Sequence, residues 1–101
     1  MFWLARAAVP HLKEKGGCII NTASINSDAP NPTLLPYATT KGAIHNFTGG
    51  LAQMLAKDGI RVNAVAPGPV WTPLIPSTMP AETVATFGSN VPMKRAAQPA
   101  E

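Results

Sequence analysis

Tyr37 and Lys41 stand four residues apart, and on a helix that spacing puts both side chains on one face, about 6 Å apart at the backbone. A free phenol holds its proton to about pH 10, too high for efficient proton exchange near neutrality. An ammonium beside it favours the phenolate, so a Tyr–Lys pair can work as a tuned acid/base. Ser24 lies thirteen residues before Tyr37, just past a run that reads as a strand. Open α/β sheets place their ligand sites at the carboxyl ends of strands, where a serine hydroxyl can hold a substrate oxygen next to a phenol.

The elements needed to position these residues are legible. Residues 1–15 carry Phe2, Leu4, Ala5, Ala8, Val9 and Leu12 at helical spacing, with a bend expected at Pro10 and a stop at Gly16-Gly17. Residues 18–22 (Cys-Ile-Ile-Asn-Thr) have the length and composition of a strand. A loop follows over 23–35, punctuated by Asp28, Pro30, Asn31 and Pro32. Pro36 suits the first turn of a helix reaching about Lys57, Asp58-Gly59 closes it, and residues 60–65 form a second strand. Strand, crossover helix and strand make a βαβ unit, so the strands should be parallel. Beyond Pro67-Gly68-Pro69, residues 71–93 read as an irregular apolar flap with a short helix near 81–88, and 98–101 as the first turn of a helix with Pro99 at its favoured position.

A Tyr-x-x-x-Lys pattern alone arises by chance in roughly one chain in five of this length, and such pairs commonly sit on an ordinary helix surface. The serine at a strand end and the Pro-Gly turn after the next strand lower that chance by about a hundredfold. Three segments carry a resemblance: Ile19-Ile20-Asn21-Thr22-Ala23-Ser24, Tyr37-Ala38-Thr39-Thr40-Lys41-Gly42-Ala43, and Arg61-Val62-Asn63-Ala64-Val65-Ala66-Pro67-Gly68. Together they closely resemble short-chain dehydrogenases/reductases, along essentially the whole chain. The 31–35 loop and the 69–74 segment look like the bacterial glucose/ribitol-dehydrogenase-like subgroup.

The resemblance implies an α/β fold, a partial doubly wound, Rossmann-like parallel sheet in the order helix, strand, helix, strand, flap. It implies one partial domain over 1–101, with a catalytic segment at 18–66 and a cofactor and substrate flap at 67–93. Tyr37 would exchange a proton with the substrate's alcohol or carbonyl oxygen, Lys41 would assist it and bind the nicotinamide ribose, and Ser24 would hold the substrate oxygen. The backbone at Pro67, Gly68 and Val70 and the Thr72 hydroxyl would hold the nicotinamide, with NAD or NADP as cofactor. A small-molecule alcohol or carbonyl is the implied substrate, and a homo-oligomer, tetramer or dimer, the implied assembly.

Nothing in the chain matches the glycine-rich turn that cradles a dinucleotide pyrophosphate. The family's N-terminal dinucleotide-binding half and last strand are therefore expected to be missing, and both ends look cut. Two parallel strands leave two open edges, so the isolated chain is expected to be poorly stable and its own activity doubtful.

Bulk properties narrow the alternatives. The 101 residues fit one small domain, 46% are hydrophobic, and only 13% are charged against about 25% in soluble domains, so much of the surface expects a cover. The net charge of +3 comes from scattered lysines and arginines, which argues against nucleic-acid binding. No apolar run reaches membrane-span length and no leader pattern opens the chain, so no membrane association and a cytoplasmic location are expected. The single cysteine, Cys18, excludes an intrachain disulfide and reads as a small buried apolar residue. His11 and His45 read as surface or interface groups rather than metal ligands. The stripe Ala38, Gly42, His45, Gly49, Ala52 and Ala56 suits close packing, against the chain's own sheet or against a second subunit. Two rival functions stay open: a Ser–Lys hydrolase using Ser24 as nucleophile, and an inactive or interaction fragment that binds no dinucleotide.

Overall fold

A computed structural model describes all of residues 1–101. Two compact units divide it, Met1–Ala66 and Pro67–Glu101.

The first unit runs α1 (Phe2–Lys15), β1 (Gly17–Thr22), α2 (Leu35–Leu55) and β2 (Ile60–Val65). β1 and β2 pair in parallel from Gly17 opposite Ile60 to Thr22 opposite Val65, and α2 is the crossover between them. The expected βαβ unit is thus present. Both helices pack on one face of the sheet. Val9 and Leu12 of α1, and Leu51, Ala52 and Leu55 of α2, close on Ile19, Ile60 and Val62. Phe2 and Phe47 meet edge to face at 6.2 Å, joining the two helices. Lys13 pairs with Asp58 at 2.9 Å and ties the end of α1 to the turn that follows α2. Gly59 takes φ 69°, a left-handed conformation that lets the chain leave that turn and enter β2 at once.

Strand alternation explains the opposite face. Cys18, Ile20 and Thr22 of β1, with Arg61, Asn63 and Val65 of β2, all point to a side that no helix of this chain covers, and all six are exposed. Cys18 therefore corrects the expectation of burial: its composition is that of a core residue, but its position in the two-residue repeat puts it on the open face.

α1 runs unbroken through Pro10. Proline removes a hydrogen bond to the carbonyl four residues back, and here both Pro10 and Arg6 lie on the exposed side, where water can serve that carbonyl. α2 opens at Leu35, one residue before Pro36, and ends at Leu55, with Ala56–Asp58 tightening into a 3-10 turn. The 23–35 loop contains two further 3-10 turns, Ile25–Ser27 and Pro32–Leu34.

The second unit holds two short helices, α3 (Leu74–Thr78) and α4 (Ala81–Ala85), so the segment expected to be largely irregular has one helix more than its sequence suggested, and the expected helix is shorter. Threonine and serine hydroxyls close α3: Ser77 and Thr78 both donate to the Leu74 carbonyl. Trp71 packs against Phe87 with ring centroids 6.4 Å apart. Val70 and Ala97 form a parallel bridge, with the Trp71 amide donating to Ala97 and the Ala97 amide to Pro69. Gln98–Glu101 closes into a hydrogen-bonded turn in which the Glu101 carboxylate accepts from the Gln98 amide, half of a helix capping box.

Candidate active site

In the first unit Ser24 stands just past the carboxyl end of β1, and Tyr37 and Lys41 lie on α2, with Lys41 reaching back to the end of that strand. Ser24 follows β1 after Ala23, whose amide donates to the Val65 carbonyl at 2.8 Å and extends the ladder to the strand end. Ser24 is buried, at 6% exposure. Its Oγ accepts from the Asn26 amide at 3.2 Å, while the Ser27 amide donates to its carbonyl at 2.9 Å. A serine in this capping position turns the chain out of the strand into the 3-10 turn. The Ser24 hydroxyl proton has no acceptor in the chain.

Tyr37 and Lys41 are one turn apart near the start of α2. Lys41 Nζ stands 5.6 Å from the centroid of the Tyr37 ring and donates to the Thr22 carbonyl at 3.1 Å. The ammonium is thereby fixed between the end of β1 and the phenol. Two of its three N–H donors are left over. Tyr37 is 44% exposed and its hydroxyl makes no hydrogen bond within the chain. Lys41 makes no hydrogen bond to Ser24; its partner is the strand carbonyl.

Behind these residues, Asn21 Nδ2 donates to Thr48 Oγ1 at 2.9 Å, and Thr48 donates to the Ile44 carbonyl at 2.8 Å. Thr48 is buried, so this pair fastens the end of β1 to the middle of α2 with both hydroxyl functions satisfied. The small-residue stripe divides. Ala38 is buried and Ala52 joins the core, whereas His45, Gly49 and Ala56 are exposed. His45 Nδ1 meets Asp28 Oδ1 at 2.8 Å, joining the Ser24 loop to α2 on the surface.

Ser27 is a contact that sequence reasoning missed. Its Oγ accepts from the Ser24 amide at 3.3 Å and donates to the Lys41 carbonyl at 3.1 Å. The signal was present as Ser24-Ile25-Asn26-Ser27, a capping pattern in which the fourth residue reaches back to the first.

Pro67, Gly68, Val70 and Thr72 belong to the second unit. A side chain built on Gly68 would meet nothing within 4 Å, so the backbone there is open to approach. The Val70 amide and the Thr72 hydroxyl make no hydrogen bond within the chain, although Val70 takes part in the bridge to Ala97 and the Thr72 carbonyl accepts from Ile75. At the end of this unit, Arg95 grips Glu101 through two nitrogens, one at 2.8 Å and one at 2.6 Å. The Arg95 guanidinium, helped by the Gln98 amide, lowers the Glu101 carboxyl to about 2, and Glu101 raises Arg95 in turn. No cluster of three or more metal-ligating side chains is present, and no helix is long and apolar enough to cross a membrane.

The family model described as enoyl-(acyl carrier protein) reductase matches residues 1–101. Glucose and ribitol dehydrogenase of Daucus carota is 60% identical over 99% of this chain and 34% of its own length. The chloroplastic NADPH-dependent aldehyde reductase 1 of Arabidopsis thaliana is 59% identical over 99% of the chain and 34% of its own. Among solved structures, a 3-oxoacyl-[acyl-carrier protein] reductase from Brucella melitensis with bound NAD superposes with a TM-score of 0.81 at 39% identity, covering 99% of this chain and 36% of that one. The chain thus spans about a third of the length of these relatives. With its parallel βαβ unit and a family match from end to end, the chain belongs to the short-chain dehydrogenase/reductase family.

Proposed function

We propose that the protein carrying these residues is an NAD(P)-dependent oxidoreductase that interconverts an alcohol and a carbonyl by hydride transfer, with Ser24, Tyr37 and Lys41 as its catalytic triad. The observation that carries this reading is the position of Lys41 Nζ, held on the Thr22 carbonyl and 5.6 Å from the centroid of the Tyr37 ring. A nicotinamide, when bound, supplies or accepts the hydride. In carbonyl reduction the Tyr37 hydroxyl gives its proton to the substrate oxygen, and in alcohol oxidation it takes one back. The Lys41 cation stabilises the negative charge left on the phenol oxygen. The Ser24 hydroxyl, with its free proton, donates to the same substrate oxygen as charge develops there.

The residues present suit the nicotinamide end of a dinucleotide, because their free groups are hydrogen-bond donors and that end is rich in acceptors. Lys41 has two N–H groups left for the ribose hydroxyls. The open backbone at Gly68, with Pro67 before it, the free Val70 amide and the free Thr72 hydroxyl suit the ring and its carboxamide. NAD and NADP both remain in the reading: one relative is named as NADPH-dependent and one solved structure holds NAD. The relatives' names cover an aldehyde, glucose and ribitol, and a 3-oxoacyl group, and each of these forms an alcohol–carbonyl pair. Residues 1–101 then form part of one catalytic domain, with residues 18–66 its catalytic segment and 67–93 its cofactor and substrate flap. The protein works in the cytoplasm as a homo-oligomer, and large exposed apolar groups such as Trp3, Leu4 and Met54 support a subunit contact.

The test is to supply the intact protein with NADH and NADPH in turn, each with an aldehyde, a sugar and a 3-oxoacyl thioester. Oxidation of the nicotinamide with at least one pair is expected. Absence of dinucleotide binding, or labelling of Ser24 by a serine-reactive hydrolase probe without any nicotinamide turnover, would overturn the reading.

A further inference from the structure

Two members of the triad are joined through a third side chain that belongs to neither. Ser27 Oγ accepts the Ser24 amide proton at 3.3 Å and donates its own proton to the Lys41 carbonyl at 3.1 Å. A hydroxyl has one proton to give and two lone pairs to receive, so this atom bridges the two backbones with its donor fully committed. Fourteen residues separate Ser27 from Lys41, so the bridge ties the turn after β1 to the first turns of α2 rather than holding a local shape. Ser27 is half-buried, which shields the bridge from competing water.

The neighbouring contacts give the bridge its effect. Ser24 Oγ is held by the Asn26 amide from within the same three-residue turn, so any rotation of that turn carries the Ser24 hydroxyl with it. The turn is fastened to α2 at two places: the Ser27 bridge at Lys41, and the Asp28–His45 pair at 2.8 Å one helical turn further on. The second fastening is exposed on both sides, where water competes with it. Ser27 is therefore the more sheltered of the two polar contacts between the turn and the helix carrying Tyr37 and Lys41.

We propose that Ser27 is a positioning residue for the proposed reaction: its hydroxyl sets the place of the Ser24 hydroxyl relative to Tyr37 and Lys41, and without it the turn rotates and the serine misses the substrate oxygen. The proposal rests on the triad reading above. It concerns orientation at the reacting oxygen and not dinucleotide binding, because Ser27 offers no free donor to a ligand. Misplacement of a reacting group by a fraction of an ångström to 1 Å costs one to two orders of magnitude in rate.

The test compares Ser27→Ala, Ser27→Thr and Tyr37→Phe in the intact protein, reading kcat, KM and the NADH or NADPH dissociation constant by fluorescence. Ser27→Ala is expected to lower kcat about tenfold while the dinucleotide constant changes by less than about twofold, and Ser27→Thr, which keeps the hydroxyl, is expected to restore kcat to within about threefold. Amide exchange at Ser24 gives a readout independent of turnover: it should speed up about tenfold in Ser27→Ala and leave Ile19 in β1 unchanged. If Ser27→Ala keeps full kcat and unchanged Ser24 exchange while Tyr37→Phe is inactive, the positioning role is wrong and the triad reading survives. If Tyr37→Phe turns over normally, the triad reading itself fails, and the role of Ser27 with it.

Discussion

Lys41 Nζ is held by the Thr22 carbonyl at 3.1 Å while it stands 5.6 Å from the centroid of the Tyr37 ring. The strand end thus anchors the cation, and the helix repeat presents the phenol to it. A lysine free in solvent would spread over many rotamers, whereas this one has its position set by two elements of the sheet–helix layer. The pairing of Thr22 with Val65 at the strand end places the anchoring carbonyl at the lip of the parallel sheet, where the proposed substrate and nicotinamide would meet.

Replacing Lys41 with methionine keeps most of the stem and removes both the charge and the anchor. In the intact protein this change should weaken dinucleotide binding and lower kcat/KM by about 10² or more. Lys41→Arg should recover little, because a planar fork cannot reach the Thr22 carbonyl and the ribose in the same geometry. Steady-state kinetics with dinucleotide titration checks this; equal activity of the methionine variant would remove Lys41 from the site.

Packing of α2 on the sheet should be as sensitive as the chemistry. Leu55 is 4% exposed and closes the core with Ile60 and Val62. Leu55→Ala should cost about 2–5 kcal/mol, because the site is enclosed by the sheet and by Leu51 and Ala52 and has little room to collapse. Denaturant unfolding of the intact protein measures it, and a loss below about 1 kcal/mol would place Leu55 at the surface instead.

Much of this arrangement could be read before the structure. The four-residue step from Tyr37 to Lys41, the serine at a strand end and the Asp58-Gly59 stop fixed the βαβ unit and the order of its site residues, because each is a local signal. The Ser27–Lys41 and Asp28–His45 contacts escaped because the partners lie fourteen or more residues apart and meet only in the folded turn, although the local Ser24–Ser27 capping pattern was legible. Cys18 misled for a related reason. Composition reports that a strand is apolar, but which of its faces a helix covers is a property of the whole layer. In the same way, α3 was hidden by Pro73 and Pro76, which read as breakers, although proline is tolerated in a first helical turn.

The tail of the second unit gives a pH prediction. Glu101 is lowered from 4.5 to about 2, chiefly by the Arg95 hydrogen bond and then by the Gln98 amide. A carboxyl depressed in the folded state stabilises the turn above its unfolded value and loses that contribution as pH falls through the folded value. The Arg95–Glu101 pair should therefore be intact at pH 5, weaken between about 4.5 and 2, and be absent below that. Carboxyl chemical shifts should show Glu101 titrating near the bottom of this window, and Arg95→Ala should return it towards the ordinary carboxylate range.

The most direct test of the Ser24–Tyr37–Lys41 site is Tyr37→Phe in the intact protein, which removes one oxygen and leaves the ring beside Lys41. Turnover with the best nicotinamide and carbonyl pair should fall by about 10²–10⁴-fold while the dinucleotide dissociation constant stays within about twofold. Near-normal turnover in that variant would contradict the assignment of Tyr37 as the proton donor.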